Sequence, residues 1–190
     1  MSEALPGLDV TVFGRHNDFA EQTRKKPPDA LLGPYQCIIP FKEYSVRMEG
    51  MYGGTKRERY LLMTPAGGRV QNDGRMTVGA VDILGKNETE SFVARFFSTP
   101  PSVRRVIRVE DLLPLLTFGM ADAILVPKRF AVFIDHMSSV PFDRREMDYA
   151  PRNTVTLAAK PSGPWREIRN AVREMPDELK SMFGIHRGEE

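Results

Sequence analysis

Three short apolar runs, Thr77–Leu84, Arg105–Val109 and Ala121–Val126, alternate with two segments of helical period in the middle of the chain. Runs of about 4–8 residues rich in Val, Ile and Ala suit strands buried on both faces. Between the first two runs, Phe92, Val93, Phe96 and Phe97 recur at a spacing that gathers them on one helical face. Asn87 is placed to cap that helix, and Glu90, three residues on, closes a variant of the capping box. Asp111 is placed to cap the second helix, with Pro114 in its first turn, where a missing N–H is no loss. Gly119 stands where a left-handed C-terminal cap is wanted. The pattern predicts two right-handed βαβ units on a parallel sheet. Such sheets bind ligands beyond the carboxyl ends of their strands, here Gly85–Thr89.

On either side of this block the pattern is shorter in period. Leu8–Phe13 alternates weakly and reads as a strand, and Asp18 caps a short helix ending before Pro27-Pro28. Asp29–Leu32 is the next apolar run, which makes a compressed third βαβ unit, and Gln36–Phe41 reads as a further strand. Lys42–Arg59 is polar and loop-like, with Gly50, Gly53 and Gly54. Tyr60–Thr64 and Thr154–Ala159 are predicted strands that leave and re-enter the first part of the chain. Pro161–Pro164 opens a final helix with Trp165, Ile168, Val172 and Met175 on one face.

Composition narrows the classes. A chain of 190 residues, 41% hydrophobic and 27% charged, is ordinary globular protein, one large domain or two lobes. With 27 basic and 25 acidic residues, no patch speaks for nucleic acid, and Arg24-Lys25-Lys26 reads as a solvated helix end. The single cysteine, Cys37, excludes an internal disulfide and reads as a buried small hydrophobe. No segment approaches the roughly 18 apolar residues of a membrane-crossing helix. The opening MSEALPGLDVTVFG has neither the basic region nor the apolar core of a signal peptide. If that start is genuine, the expectation is a cytoplasmic protein.

Catalytic signals are weak. His16, His136 and His186 stand in three unlike contexts without metal-ligand spacing, so neither a metal nor a catalytic residue is assigned. Asp135-His136 lies near Ser138 and Ser139, but no glycine elbow presents a nucleophile. Gly50–Gly54 lacks the Lys-Ser/Thr of a phosphate loop. No cofactor is expected.

The order of parts resembles the type II solute-binding proteins, the two-lobed receptors of ABC importers, and most of all their phosphate/phosphonate branch. The residues that carry the resemblance are Pro28–Leu32, Glu58–Thr64, Val78–Val81, Asp111–Leu113, Gly119–Ala123 and Thr154–Lys160. It extends over roughly residues 8–185. It implies an α/β fold of mainly parallel sheets flanked by helices. Residues 1–65 with 152–190 would form the first lobe and 66–151 the second, with Tyr60–Thr64 and Thr154–Ala159 crossing between them. Members of that family start with a strand and helix ahead of what matches Leu8–Phe13. The first lobe is therefore expected to be truncated, less stable and open along one strand edge, which invites a homodimer.

The implied function is non-enzymatic binding of a small molecule, an oxyanion such as phosphonate or phosphate in that branch, between the lobes. The partner is an ABC transporter membrane component, and the location periplasmic or extracytoplasmic. The alternative is a cytoplasmic ligand-sensing domain or an enzyme on the same fold. Lys86, Asn87 and Thr89 open a helix whose N-terminus favours anions, though they read equally as a plain helix cap. Glu88 and Glu90 stand where phosphonate binders carry hydroxyls, and would repel an oxyanion. Tyr35 follows the other apolar Asp-Ala run and would stack on a ligand, or be an ordinary half-buried tyrosine. Thr64 and Ala66, taken to lie at the lobe crossing, would offer a hydroxyl and a backbone N–H.

Overall fold

The computed structural model describes residues 8–52, 54–68, 75–152 and 154–184. In chain order the elements are α1 (His16–Lys25), β1 (Ala30–Pro34), α2 (Tyr35–Ile38), β2 (Ser45–Glu49), β3 (Tyr60–Pro65), β4 (Thr77–Val81), α3 (Lys86–Ala94) and β5 (Ser102–Val106). Then come α4 (Leu112–Thr117), β6 (Ala123–Pro127), a 3-10 turn (Lys128–Phe130), α5 (Ala131–Met137), β7 (Phe142–Glu146), β8 (Val155–Ala159), α6 (Trp165–Glu174) and α7 (Asp177–Met182). Two compact units divide the chain, one of residues 1–14, 18–57 and 152–190, the other of residues 15–17 and 58–151. Apart from residues 15–17, the chain therefore passes between units at 57/58 and 151/152, and Tyr60–Pro65 lies within the second unit's sheet. Among the described residues no helix is long and apolar enough to cross a membrane.

The second unit is a five-stranded sheet in the order β5-β4-β6-β3-β7. The expected βαβ pair is there: β4 runs parallel to both β5 and β6, while β3 is antiparallel to β6 and β7. Alternation along each strand divides the side chains between two faces. Tyr60, Leu62, Val78, Ala80, Ala123 and Leu125 meet Phe92, Val93 and Phe96 of α3 on one side. Leu61, Met63, Ile124 and Val126 meet α4 and α5 on the other. Gly119, at φ 63°, ends α4: its N–H bonds to the Leu116 carbonyl and the Met120 N–H to that of Leu115, the left-handed cap expected.

Among the described residues the first unit has three strands, β1-β8-β2, all antiparallel, so the parallel pairs lie in the second unit and the compressed βαβ unit expected here does not form. α6 covers one face through Ile168, Ala171 and Val172 against Leu157. The other face is covered by Ala20, Ile38, Phe41 and Tyr44 against Leu31 and Ala158. Two predicted strands are corrected. Gln36–Phe41 is not a strand: Pro34 leads into a single helical turn, closed by the Ile39 N–H on the Tyr35 carbonyl at 3.0 Å. The buried Cys37, Ile38, Phe41 and Tyr44 follow a helical rather than a two-residue period. Leu8–Phe13 forms no ladder either. Leu8 and Val10 pack into the first unit's core, but with no strand beside them among the described residues the alternation does not make a strand. Among the described residues β1 is paired on one side only, by β8.

Candidate functional site

In the second unit the carboxyl ends of β4, β5 and β6 gather charged side chains. Register explains why: Arg105 is paired with Ala80, two residues before Asp82, so Arg105 and Asp82 lie diagonally across adjacent strands on one face. The Arg105 guanidinium is ion-paired with Asp82 and lies 3.9 Å from Glu90. Thr89, 1% exposed, donates its hydroxyl hydrogen to the other Asp82 oxygen at 2.8 Å and accepts the Leu84 N–H at 3.2 Å. Gly85 supports the turn between them with φ 86°, a conformation that favours glycine. Lys86, Asn87 and Glu88 of the first turn of α3 are exposed.

The capping expectation for Asn87 does not hold. Gly85 occupies the cap position, Asn87 lies inside the helix, and no side chain caps it. Thr89 takes over part of that work by tying the loop to Asp82, which leaves it no open surface for a ligand.

At the same end of the sheet Glu58, 3% exposed, is ion-paired with Arg129, whose Nε lies 2.9 Å from one carboxylate oxygen and whose Nη2 donates to the other at 3.4 Å. Burial pushes its pKa up to about 7, against the downward pull of Arg129. Arg59 and Lys128 both reach Glu146, each at 2.7 Å. Their bonds hold the Glu146 carboxyl below the usual range.

Thr64 and Ala66 are elsewhere. β3 runs opposite to β6, with Met63 facing Ile124, so Thr64 is level with the start of the parallel strands rather than with their ends. At about 3.3 Å per residue, a five-residue strand puts that edge roughly 13 Å from Asp82. Ala66 already donates its N–H to the Pro141 carbonyl at 3.0 Å. Thr64 and Ala66 therefore do not join Lys86 and Asn87. The cause is strand direction, which an apolar run does not reveal. Asp122, at the start edge, caps the sheet by accepting the Thr77 N–H at 2.7 Å.

Tyr35 belongs to the first unit, just past the carboxyl end of β1. The Arg152 guanidinium stacks 4.3 Å over its ring and binds Glu49 through two bonds of 2.7 and 2.5 Å. Lys56 adds a third contact to Glu49 at 3.2 Å, and Gln36 donates to the Arg152 carbonyl at 3.0 Å. The Arg152 bonds above all hold the Glu49 carboxyl below its usual range.

The weak catalytic signals resolve as follows. Asp135 is ion-paired with Arg144, and Ser138 donates to the Val140 carbonyl. His16 opens α1, His136 is exposed in the last turn of α5, and His186 lies outside the described residues, as does Gly53 of the glycine-rich loop. Cys37 is buried, and burial pushes its thiol up to about 12, so it is inert. Sequence reasoning missed Asp82, Arg105, Glu58 and Arg129. The signal was there for the first two, as charged residues at the ends of apolar strand runs.

No protein-family model matches the chain, and no curated protein matches its sequence. Solved structures do. An ancestral amino acid-binding protein, a precursor of cyclohexadienyl dehydratase, aligns at TM-score 0.62 and 14% identity over 96% of this chain and 81% of that one. A periplasmic His/Glu/Gln/Arg/opine family-binding protein from Silicibacter pomeroyi, in complex with lysine, aligns at 0.60 and 10% over 96% and 82%. The GluR0 ligand-binding core from Nostoc punctiforme, in complex with L-glutamate, aligns at 0.58 and 13% over 97% and 87%. At such identities the likeness establishes fold and nothing finer. The chain has the mixed α/β fold of the type II periplasmic solute-binding proteins, its sheets flanked by helices.

Proposed function

We propose that this chain binds a small zwitterionic solute, an amino acid or a near relative, without transforming it. In this reading it is the substrate-binding component of an ABC importer, periplasmic or extracytoplasmic, with the importer's membrane component as partner. The observation that carries the reading is a solute-receptor fold whose second unit has a rim of both charge signs at the carboxyl ends of β4, β5 and β6. An amino acid offers a carboxylate and an ammonium group. Lys86 and the start of α3 suit the first, and the exposed Glu88 beside them suits the second. Lys86 and Asn87 are the contacts of this reading on the second unit, and Tyr35 the aromatic one on the first.

A phosphate or phosphonate is the narrower alternative. It would bring concentrated negative charge to a turn that carries Glu88, with Glu90 and Asp82 close behind, whereas a zwitterion meets both signs. A second proposal on partners follows from the side of β1 that has no partner among the described residues, where another copy would add a strand and form a homodimer.

Thermal unfolding with L-arginine, L-lysine, L-glutamate, ATP, inorganic phosphate or methylphosphonate tests the reading. A ligand at one hundred times its Kd adds about 2.7 kcal/mol of stability. Stabilisation by one of the amino acids is expected. No response to any amino acid overturns the proposal, and a response to phosphate or methylphosphonate alone moves it to the oxyanion reading. Consumption of the amino acid on incubation would instead make the chain an enzyme on the same fold.

A further inference from the structure

We infer that Arg105 and Asp82 are positioning residues that hold the 84–89 turn in its binding conformation from the neighbouring strand. For its effect on affinity the inference rests on the solute reading above, but its structural half stands without a ligand. Two strands and a helix meet in one network. Arg105, near the end of β5, pairs with Asp82 one residue past β4, where the Asp82 N–H also donates to the Val106 carbonyl at 2.8 Å. The other Asp82 oxygen takes the Thr89 hydroxyl, and the same hydroxyl takes the Leu84 N–H. The turn is thus closed from Leu84 onto the Thr89 hydroxyl, that hydroxyl is tied to one carboxylate, and that carboxylate to one guanidinium.

Each link is specific. Asp82 spends its two oxygens on two different elements, so losing either partner frees it to rotate. Arg105 also faces Glu90 on the next turn of α3 at 3.9 Å, so one cation spans the strand end and the helix. Asp82 and Arg105 are partly shielded, with side chains 23% and 27% exposed, where a charged hydrogen bond is screened less than in open solvent. Between the two tied residues Lys86, Asn87 and Glu88 project exposed. Arg105 therefore acts on a solute through the turn and not by touching it.

Amide hydrogen exchange of the full chain, read at Leu84 and at Ala80 in the middle of β4, tests the structural half. Arg105→Gln should speed exchange at Leu84 about tenfold or more with Ala80 unchanged, the scale expected for a lost charged hydrogen bond. Arg105→Lys, which keeps the cation, should recover most of the protection. Thr89→Val, nearly isosteric, should speed Leu84 similarly and serves if Arg105→Gln does not fold. Unchanged exchange at Leu84 in a folded Arg105→Gln or Thr89→Val protein overturns the inference, as does equal acceleration at Ala80, which would mean general loosening. For any amino acid that stabilises the natural chain, Arg105→Gln should then weaken binding while Arg105→Lys restores it. A natural chain that binds no amino acid defeats the functional proposal alone, because the exchange result is obtained without ligand.

Discussion

The two units solve the same problem with different margins. Each buries a sheet between helices, and each fixes a carboxylate with an arginine near the strand ends. In the second unit β4 is paired on both sides, and its core includes four aromatic rings in edge contact, Tyr60, Phe92, Phe96 and Tyr149. Among the described residues the first unit has three strands, and β1 is paired on one side only. The arginine pairs differ too. The Glu49 side chain is 4% exposed, yet those of Arg152 and Lys56 above it are 46% and 54% exposed, so the cations stay hydrated while they lower its pKa. Glu58 is as covered, but its partner Arg129 is 22% exposed, and desolvation outweighs the attraction. Similar coverage gives opposite shifts, because what matters is whether the covering atoms are wet charges or packed protein.

The largest expected difference is in core truncation. Phe92→Ala removes a buried ring that meets Tyr60 at 5.6 Å and Phe96 at 5.3 Å, and should cost about 3–5 kcal/mol. Phe19 of the first unit meets Phe13 at 5.8 Å and Phe41 at 5.5 Å but is only half-buried. Phe19→Ala should therefore cost half as much, about 1.5–2.5 kcal/mol. Chemical denaturation of both variants reads this directly. Equal costs would mean the smaller unit is packed as tightly as the larger one, and the contrast would fail.

The next effect is on pH. Glu58 has a folded pKa of about 7 against 4.5 for the ordinary group, so the folded chain holds that proton more tightly than the unfolded one. Stability from this group is fully present below about pH 4.5 and is lost as pH rises through 7, a change of about 3 kcal/mol at one pKa unit per 1.36 kcal/mol. Glu49 works the other way: its lowered pKa gives stability that is present above the ordinary value and lost as pH falls through the lowered one. Urea unfolding at several values between pH 5 and 8 should show stability declining with pH in the natural chain and a flatter profile in Glu58→Gln. An unchanged slope in Glu58→Gln would assign the titration to another group.

How far the chain could be read from its sequence also differs between the units. The β4–α3–β5–α4–β6 block was legible because each element carries its own period, and the Gly119 cap its own residue. The first unit was harder. Leu8–Phe13 has the alternation of a strand, but a strand exists only with a partner, and no local pattern supplies one. Pro34 and the buried spacing of Cys37, Ile38 and Phe41 were signs against a strand that an apolar run conceals. At the site, Gly85–Thr89 was found from the rule for parallel strand ends. Thr64 and Ala66 were misplaced because the rule needs the direction of β3. The Asp82–Arg105 pair, 23 residues apart, follows from the β4–β5 register, which a sequence does not state.

The smallest expected effect is also the most discriminating. Asn87 makes no capping bond and projects exposed from the first turn of α3, so Asn87→Ala should change stability by less than about 0.5 kcal/mol. A capping asparagine would cost about 0.5–2 kcal/mol on the same substitution. Thermal unfolding without ligand separates these ranges when Thr89→Val, which removes the acceptor of the Leu84 N–H, is measured beside it and is the costlier of the two. If Asn87→Ala proves the costlier, the side chain is structural and the turn is an ordinary helix start. If it is neutral for stability and yet abolishes stabilisation by the amino acid that the natural chain binds, Asn87 serves the ligand alone. Tyr35→Ala is the matching change in the first unit, but it also strips the ring from beneath Arg152 and so perturbs the Glu49 pair. The second unit thus allows ligand binding to be separated from stability, and the first does not.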